Sequence, residues 1–453
     1  MRYITGLVVW LMAIAVPQAW AQPRPQMQPR EGPRFVHFEA VNLPSADSAT
    51  SRIDVFYRID KQFFIPVRNE DPSFPWEFMR RGEILVELID TNETSAAREI
   101  KRSEIGSNNP DTEMDTKEWH QGFATFAVPP GKYRIVFEID DLESDRRFFD
   151  RNATVLARRF PADSFSVSDP VMILGTGEVE NRQTVQLQNF GGDILYGLPA
   201  SLLFPVELPG VSASVQTSFT ISEMPLADEP GPPVVRDSMA TPVTLRGVWP
   251  TAEEDSSGLF YSLSPSDDPQ RGVVLLTFPA TQLPLRRFKL TATLSVGQSK
   301  RETTKFFRIV WPDMPISLRD VDYAIDALRY IVSEQKLDSL NSGSFEARRD
   351  NLEQFWRQRD PDPKTAYNEV MAQYYRRVDY AAKAYGTLRE PDGSKTDRGK
   401  VYILHGPPSK TQRSLDPDRG FREVWTYDTL GKEFVFADRS KSGNYTLISS
   451  RSL

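Results

Sequence analysis

The hydrophobic pattern of this chain changes from strand to helical period at Trp311-Pro312-Asp313-Met314-Pro315, and that switch limits the architectures open to it. Before it, apolar residues recur at every second position. Ile53, Val55, Tyr57 and Ile59 alternate with Asp54, Arg58 and Asp60, as in a strand with one buried face. Ile84-Leu85-Val86-Glu87-Leu88-Ile89 is an apolar run of strand length. Tyr133, Ile135, Phe137 and Ile139 alternate again after the turn Pro129-Pro130-Gly131-Lys132. Short strands between turn signals predict a β-sandwich over residues 35–165. Phe288, Leu290, Ala292 and Leu294, then Phe306-Phe307-Arg308-Ile309-Val310, repeat the pattern over 166–312. They predict a second sandwich there, with one large β-domain as the alternative. Leu226–Arg236, containing Glu229-Pro230-Gly231-Pro232-Pro233, and Ser264–Arg271 read as surface loops, because proline denies ladder hydrogen bonds.

After the switch the spacing is helical. Ser317-Leu318-Arg319-Asp320 reads as an N-cap, followed by one face of Val321, Ala324, Leu328, Ile331 and Val332. A second helix is expected over Ser344–Arg357, with Leu352, Phe355 and Trp356 inward. Asp360-Pro361-Asp362-Pro363 breaks it, and Asp362-Pro363 offers a cap and first position for a third helix. That helix carries Tyr367, Val370, Met371, Tyr374, Val378, Ala381 and Tyr385, and Gly386 is placed to end it. Val424–Tyr427, Glu433–Phe436 and Tyr445–Ile448 then read as three strands joined by Leu430-Gly431-Lys432 and Lys441-Ser442-Gly443-Asn444. The expected architecture is an N-terminal all-β tandem sandwich and a C-terminal α+β domain over 313–453, helices first and an antiparallel meander last.

Between helices and meander lies Gly393-Ser394-Lys395-Thr396-Asp397-Arg398-Gly399-Lys400, then Val401-Tyr402-Ile403-Leu404-His405-Gly406-Pro407-Pro408. Together with Phe355-Trp356, Arg359-Asp360-Pro361, Tyr375-Arg376-Arg377-Val378-Asp379-Tyr380-Ala381 and Glu423-Val424-Trp425-Thr426-Tyr427, it resembles the GWxTD-domain family of bacterial envelope proteins. The resemblance covers roughly the last 130 residues. It implies an envelope location and a β-rich region before the domain, and it carries no reaction with it. One position departs from the pattern: Ser394 stands where the family has its eponymous tryptophan, which favours a structural role for that site. The segment ending in Gly406-Pro407-Pro408 is also similar to small outer-membrane assembly lipoproteins, in which it is helical. Val401-Tyr402-Ile403-Leu404 has strand composition, yet Thr396 is placed to cap a short helix ending at Gly406, so helix and strand both stay open.

Met1 to Ala21 has the form of a secretory signal: one charge at Arg2, an apolar run Leu7–Val16, and Ala19-Trp20-Ala21 as the cleavage site. Residues 22–34, rich in Pro, Gln and Arg, are expected to be a disordered leader. The chain has no cysteine, hence no disulfide, no thiol chemistry and no lipobox cysteine to attach a lipid. These features predict a periplasmic or secreted protein with no transmembrane segment in its mature form. A net charge of −7 argues against nucleic acid as a partner, since phosphate binding needs clustered Lys and Arg.

Candidate chemistry gathers in the C-terminal domain. Asp397 and Glu423, with Arg398, Asp438, Arg377 and Tyr402 near them in the expected fold, offer two carboxylates for acid–base work on a glycan. The plainer reading makes them an ion-pair network between helices and sheet, because arginine favours bidentate carboxylate contacts. On that reading Gly393, Thr396, Asp397, Arg398, Gly399, Tyr402, Gly406, Pro407, Glu423, Trp425 and Tyr427 are structural motif residues. Ser394, Asp397 and His405 have the residue types of a hydrolase triad but no Gly-x-Ser-x-Gly elbow. Three histidines and no cysteine speak against a transition-metal site. Asp416-Pro417-Asp418-Arg419-Gly420 lacks the third ligand and distal Glu of a calcium loop, and no Lys-Ser/Thr pair makes a phosphate loop of Gly393 and Gly399. Phe355, Trp356, Tyr374, Tyr375, Trp425 and Tyr427 have the spacing of core residues, with a sugar platform as the alternative. No cofactor is implied. The expectation is a non-enzymatic interaction or scaffold protein that binds other envelope proteins, with a glycan-active hydrolase using Asp397 and Glu423 as the alternative.

Overall fold

The alternation around Ile53 does more than half-bury a strand. In the computed structural model, Ser51–Asp60 is the middle strand of a three-stranded antiparallel sheet, between Val36–Pro44 and Trp119–Val128. Ile53, Val55, Tyr57 and Ile59 pack on a six-stranded sheet through Ile84, Val86, Leu88, Tyr133, Ile135, Phe137 and Ile139. That sheet contains Phe78–Ile89, Ser95–Ser107 and Gly131–Asp141. The opposite row of the middle strand, Arg52, Asp54, Phe56 and Arg58, is covered as well. Val41, Leu43 and Phe56 share a core with Ile173, Val185, Leu203, Tyr261 and Val273 of an eight-stranded sheet. Two faces need two apolar partners, so the polar members of the alternation end up inside rather than in water.

The eight-stranded sheet is likewise covered on both sides. In Ala200–Glu207, Leu203 faces the core just described, while Leu202, Phe204 and Val206 face a five-stranded sheet. From the latter come Phe219, Ile221, Phe288, Leu290, Ala292, Leu294 and Phe307. Its long strands are antiparallel, and the pair Ile194–Leu195 with Ile309 and Val310 is parallel. The β region is therefore a stack of four sheets with three apolar cores between them.

The structure describes residues 35–452 except 109–117, 162–163, 180–181, 211–213, 225–232, 241, 256–257 and 417–419. The expected signal and leader (1–34) lie outside the described residues, as does most of the Leu226–Arg236 loop. Residues 233–236 of that loop belong instead to the strand Pro233–Ala240, at the edge of the five-stranded sheet, where proline is tolerated. Phe35–Leu453 form one compact unit, and among the described residues no helix is long and apolar enough to cross a membrane.

Five α-helices occur among the described residues: α1 (Val321–Ala327), α2 (Glu334–Leu340), α3 (Phe345–Arg357), α4 (Glu369–Ala384) and α5 (Asp397–His405). The cap of α1 is Asp320, whose carboxylate accepts from the amides of Asp322 and Tyr323. Ser317 sits in a preceding 3-10 turn whose amides at Ile316 and Ser317 are taken by Asp379 of α4. Ile331 lies past the end of α1 and is exposed. The short α2 has no counterpart in the sequence reading. Ser344 caps α3, with Leu352, Phe355 and Trp356 buried as its spacing implies. Asp362-Pro363 does not start α4. Asn368 does, accepting from the Met371 amide and donating to the Trp356 carbonyl. The Ala366 amide meanwhile donates to Thr281 of the β region, which keeps this stretch out of the helix. Val370 is exposed, whereas Tyr375 is buried. Gly386 is needed for space rather than for a left-handed turn: a Cβ there would lie 2.5 Å from the Pro391 carbonyl oxygen.

The segment 401–404 is helical, within α5. The last sheet has four antiparallel strands, Lys410–Asp416, Gly420–Tyr427, Lys432–Asp438 and Thr446–Ser452. The first of these gave no sequence signal, because its composition is polar apart from the exposed Leu415.

Candidate functional site around the glycine-bounded motif

The motif folds as a clasp closed by its own atoms. Asp392 opens a 3-10 turn over Gly393–Lys395 by accepting from the Ser394 amide. Thr396 then caps α5: its Oγ1 accepts from the Gly399 amide at 3.1 Å and donates to the Gly393 carbonyl at 2.8 Å. Both glycines are fixed by close approach. A Cβ on Gly399 would lie 2.0 Å from the Gly393 carbonyl oxygen, and one on Gly393 would lie 2.2 Å from that of Ala381 in α4. The turn is thus pressed between α4 and α5, and no larger residue fits at either position. Gly406 ends α5 with φ of 80°, a left-handed conformation that suits glycine. Its carbonyl accepts from the Tyr427 hydroxyl at 2.8 Å, and Pro407, exposed, begins the passage to the sheet.

The two candidate carboxylates have different partners. Asp397 accepts from the backbone amide of Leu447 at 2.7 Å, tying the start of α5 to the last strand. Glu423 is 2% exposed. One of its oxygens accepts from the Trp425 indole at 2.7 Å; the other lies 3.4 Å from Arg398 and 3.3 Å from Arg413. The Arg398 guanidinium is itself held between the rings of Tyr385 and Tyr445, 5.2 and 4.3 Å from their centroids. A buried carboxylate facing two guanidiniums has its charge compensated in place. Asp438 closes a turn, accepting from Ser440, Ser442 and Gly443. Burial alone would raise its pKa, but these hydrogen bonds outweigh it and lower the value. Arg377 lies over Gly406 and the end of α5, and Tyr402 stacks on Tyr380 at 4.4 Å.

Ser394, Asp397 and His405 do not form a triad. The Ser394 hydroxyl donates to Asp392 at 2.6 Å and lies 3.1 Å from the Tyr323 hydroxyl. His405 stacks on Phe434 and meets Tyr427 edge-on, and burial, then Lys432 and Arg377, lower its pKa. Ser394 is buried, with its carbonyl accepting from the Tyr330 hydroxyl, so two tyrosines serve the position that the motif gives to tryptophan. Phe355, Trp356, Tyr374, Tyr375, Trp425 and Tyr427 are all buried and present no platform. His37 and His120 lie in the three-stranded sheet, apart from His405. Among the described residues no group of three or more His, Cys, Asp and Glu is placed to hold a metal ion. Residues 417–419 of the Asp416–Gly420 stretch lie outside the described residues.

A second buried carboxylate escaped the sequence reading. Asp54 has no exposed side-chain surface and accepts from Nε and Nη2 of Arg52 at 2.8 and 2.6 Å, from Thr125 at 2.9 Å and from Tyr261 at 2.8 Å. Tyr261 belongs to the eight-stranded sheet, so this anchor joins two layers of the stack. Burial alone would lower the Arg52 pKa, but the Asp54 charge and hydrogen bonds raise it; burial and then Asp54 push the Tyr261 phenol well up. Further ties cross the layers: Lys305 pairs with Glu39, the Asn189 amide donates to the Tyr57 carbonyl, and Arg52 donates to the Pro250 carbonyl. Tyr196, Trp311 and Tyr367 join the β region to the helices, and the Tyr196 hydroxyl donates to the Ala366 carbonyl. The only sequence signal for Asp54 was its place in the alternation, which reads as solvent-facing.

Residues 294–453 match the family model of the GWxTD domain. No curated protein matches the chain. Among solved structures, a family 123 glycoside hydrolase from Clostridium perfringens is 11% identical, with 34% of this chain and 31% of that chain covered and a TM-score of 0.16. A likeness that slight carries no argument about fold or activity.

Proposed function

From the premise that this is a GWxTD domain-containing protein, we propose that it acts as an exported, non-enzymatic scaffold of the cell envelope. The observation that carries this reading is the state of Glu423: buried, facing Arg398 and Arg413, and bonded to the Trp425 indole. Glycoside hydrolysis needs two carboxyl groups flanking a substrate-accessible bond, one of them able to give up a proton. Glu423 has no such access, and the other candidate, Asp397, spends an oxygen on the Leu447 amide. The motif residues then serve to lock α4, α5 and the last sheet together. Bonds across the β layers and to the helices favour a body that holds its partners at set positions, with binding through surfaces and strand edges.

The test has two arms. Cross-linking of the tagged mature chain in its native cells, followed by pull-down and mass spectrometry, is expected to enrich a few envelope proteins. Their loss on deletion of residues 313–453 would place the contact in the C-terminal domain. In the second arm, the intact protein and its Asp397→Asn and Glu423→Gln variants are assayed on a panel of cell-wall glycans. Hydrolysis by the intact protein that disappears in folded variants would overturn the scaffold reading in favour of the hydrolase.

A further inference from the structure

We draw no further inference here: the strongest candidate, the cleft where the three-stranded and six-stranded sheets meet the hairpin Val248–Asp255 and Gly258–Pro265, lined by Trp119, His120, Glu104 and Glu254, has exposed carboxylates at its rim, and nothing in the structure shows what covers it.

Discussion

Asp54 and Glu423 are the same device in two regions built differently. Each is a carboxylate almost without solvent contact, held by arginine and by an aromatic donor, Tyr261 in one case and Trp425 in the other. In the C-terminal domain the partners come from nearby in sequence: Trp425 is two residues from Glu423, and Arg398 twenty-five. In the β stack Arg52 is two residues from Asp54, but the partners that tie it to other strands are distant, Thr125 at 71 residues and Tyr261 at 207. The short-range anchor shows itself as a motif, because its members are forced into a fixed order. The long-range anchor leaves no pattern and looks like the polar half of an ordinary amphipathic strand. Visibility in sequence therefore measures how local a constraint is and says little about how much structure depends on it.

The largest effect is expected where the comparison is most exposed to failure. Asp54→Ala leaves Arg52 buried without its counter-charge and Tyr261 without its acceptor, at a cost of about 3–5 kcal/mol. Urea unfolding followed by tryptophan fluorescence measures it. A loss below about 1 kcal/mol would mean that the long-range anchor matters less than its burial implies. Next comes Gly399→Ala, whose methyl would collide with the Gly393 carbonyl. It is expected to cost about 3 kcal/mol, since neighbouring backbone must move. Hydrogen exchange should show the damage confined to α4, α5 and the last sheet. Equal loss of protection throughout the β stack would show that the two regions unfold as one.

A third prediction concerns His120, whose pKa is lowered to about 4, first by burial and then by Lys61 and Lys101. The folded state holds this imidazole neutral, whereas the unfolded chain protonates it near pH 6.5. Its stability contribution is thus whole above pH 6.5 and falls away as the pH drops toward 4. The loss should reach roughly 2 kcal/mol after discounting for partial solvent contact. His120→Gln should flatten that part of the stability–pH curve. An unchanged slope would remove His120 from the account of the first β layers. The smallest effect is expected for Asp397→Ala, which deletes one hydrogen bond to an exposed strand and should cost about 1 kcal/mol. Faster exchange of the Leu447 amide, with the rest of the last sheet unaffected, would support a purely local role. Global unfolding would make this motif residue the equal of Asp54.

These contrasts explain which parts of the fold were legible. The order of β region, helices and meander followed from period alone, and Ser344, Thr396 and Gly406 signalled helix ends through local chemistry. The start of α4 did not. Asp362-Pro363 has better local credentials than Asn368, but Asn368 also bonds Trp356 of α3, and the Ala366 amide is committed to Thr281. The strand Lys410–Asp416 was hidden because it lies at an edge and buries too little to need alternation. Of the candidate site, the motif members were found and the bonds among them were not, since a list of residue types does not say which carboxylate faces which arginine.

The middle strand Ser51–Asp60 has no face of its own in water, and this shapes how the chain can vary over evolutionary time. A residue on Ser51–Asp60 must satisfy whichever core it points into, and its two neighbours along the strand answer to the other core. Substitutions there are screened twice, so drift in that strand should be slow. The outer face of the six-stranded sheet, where Ile100, Phe149 and Leu156 are exposed, is under neither restraint. Substitutions should accumulate there first, around an interior that stays nearly unchanged.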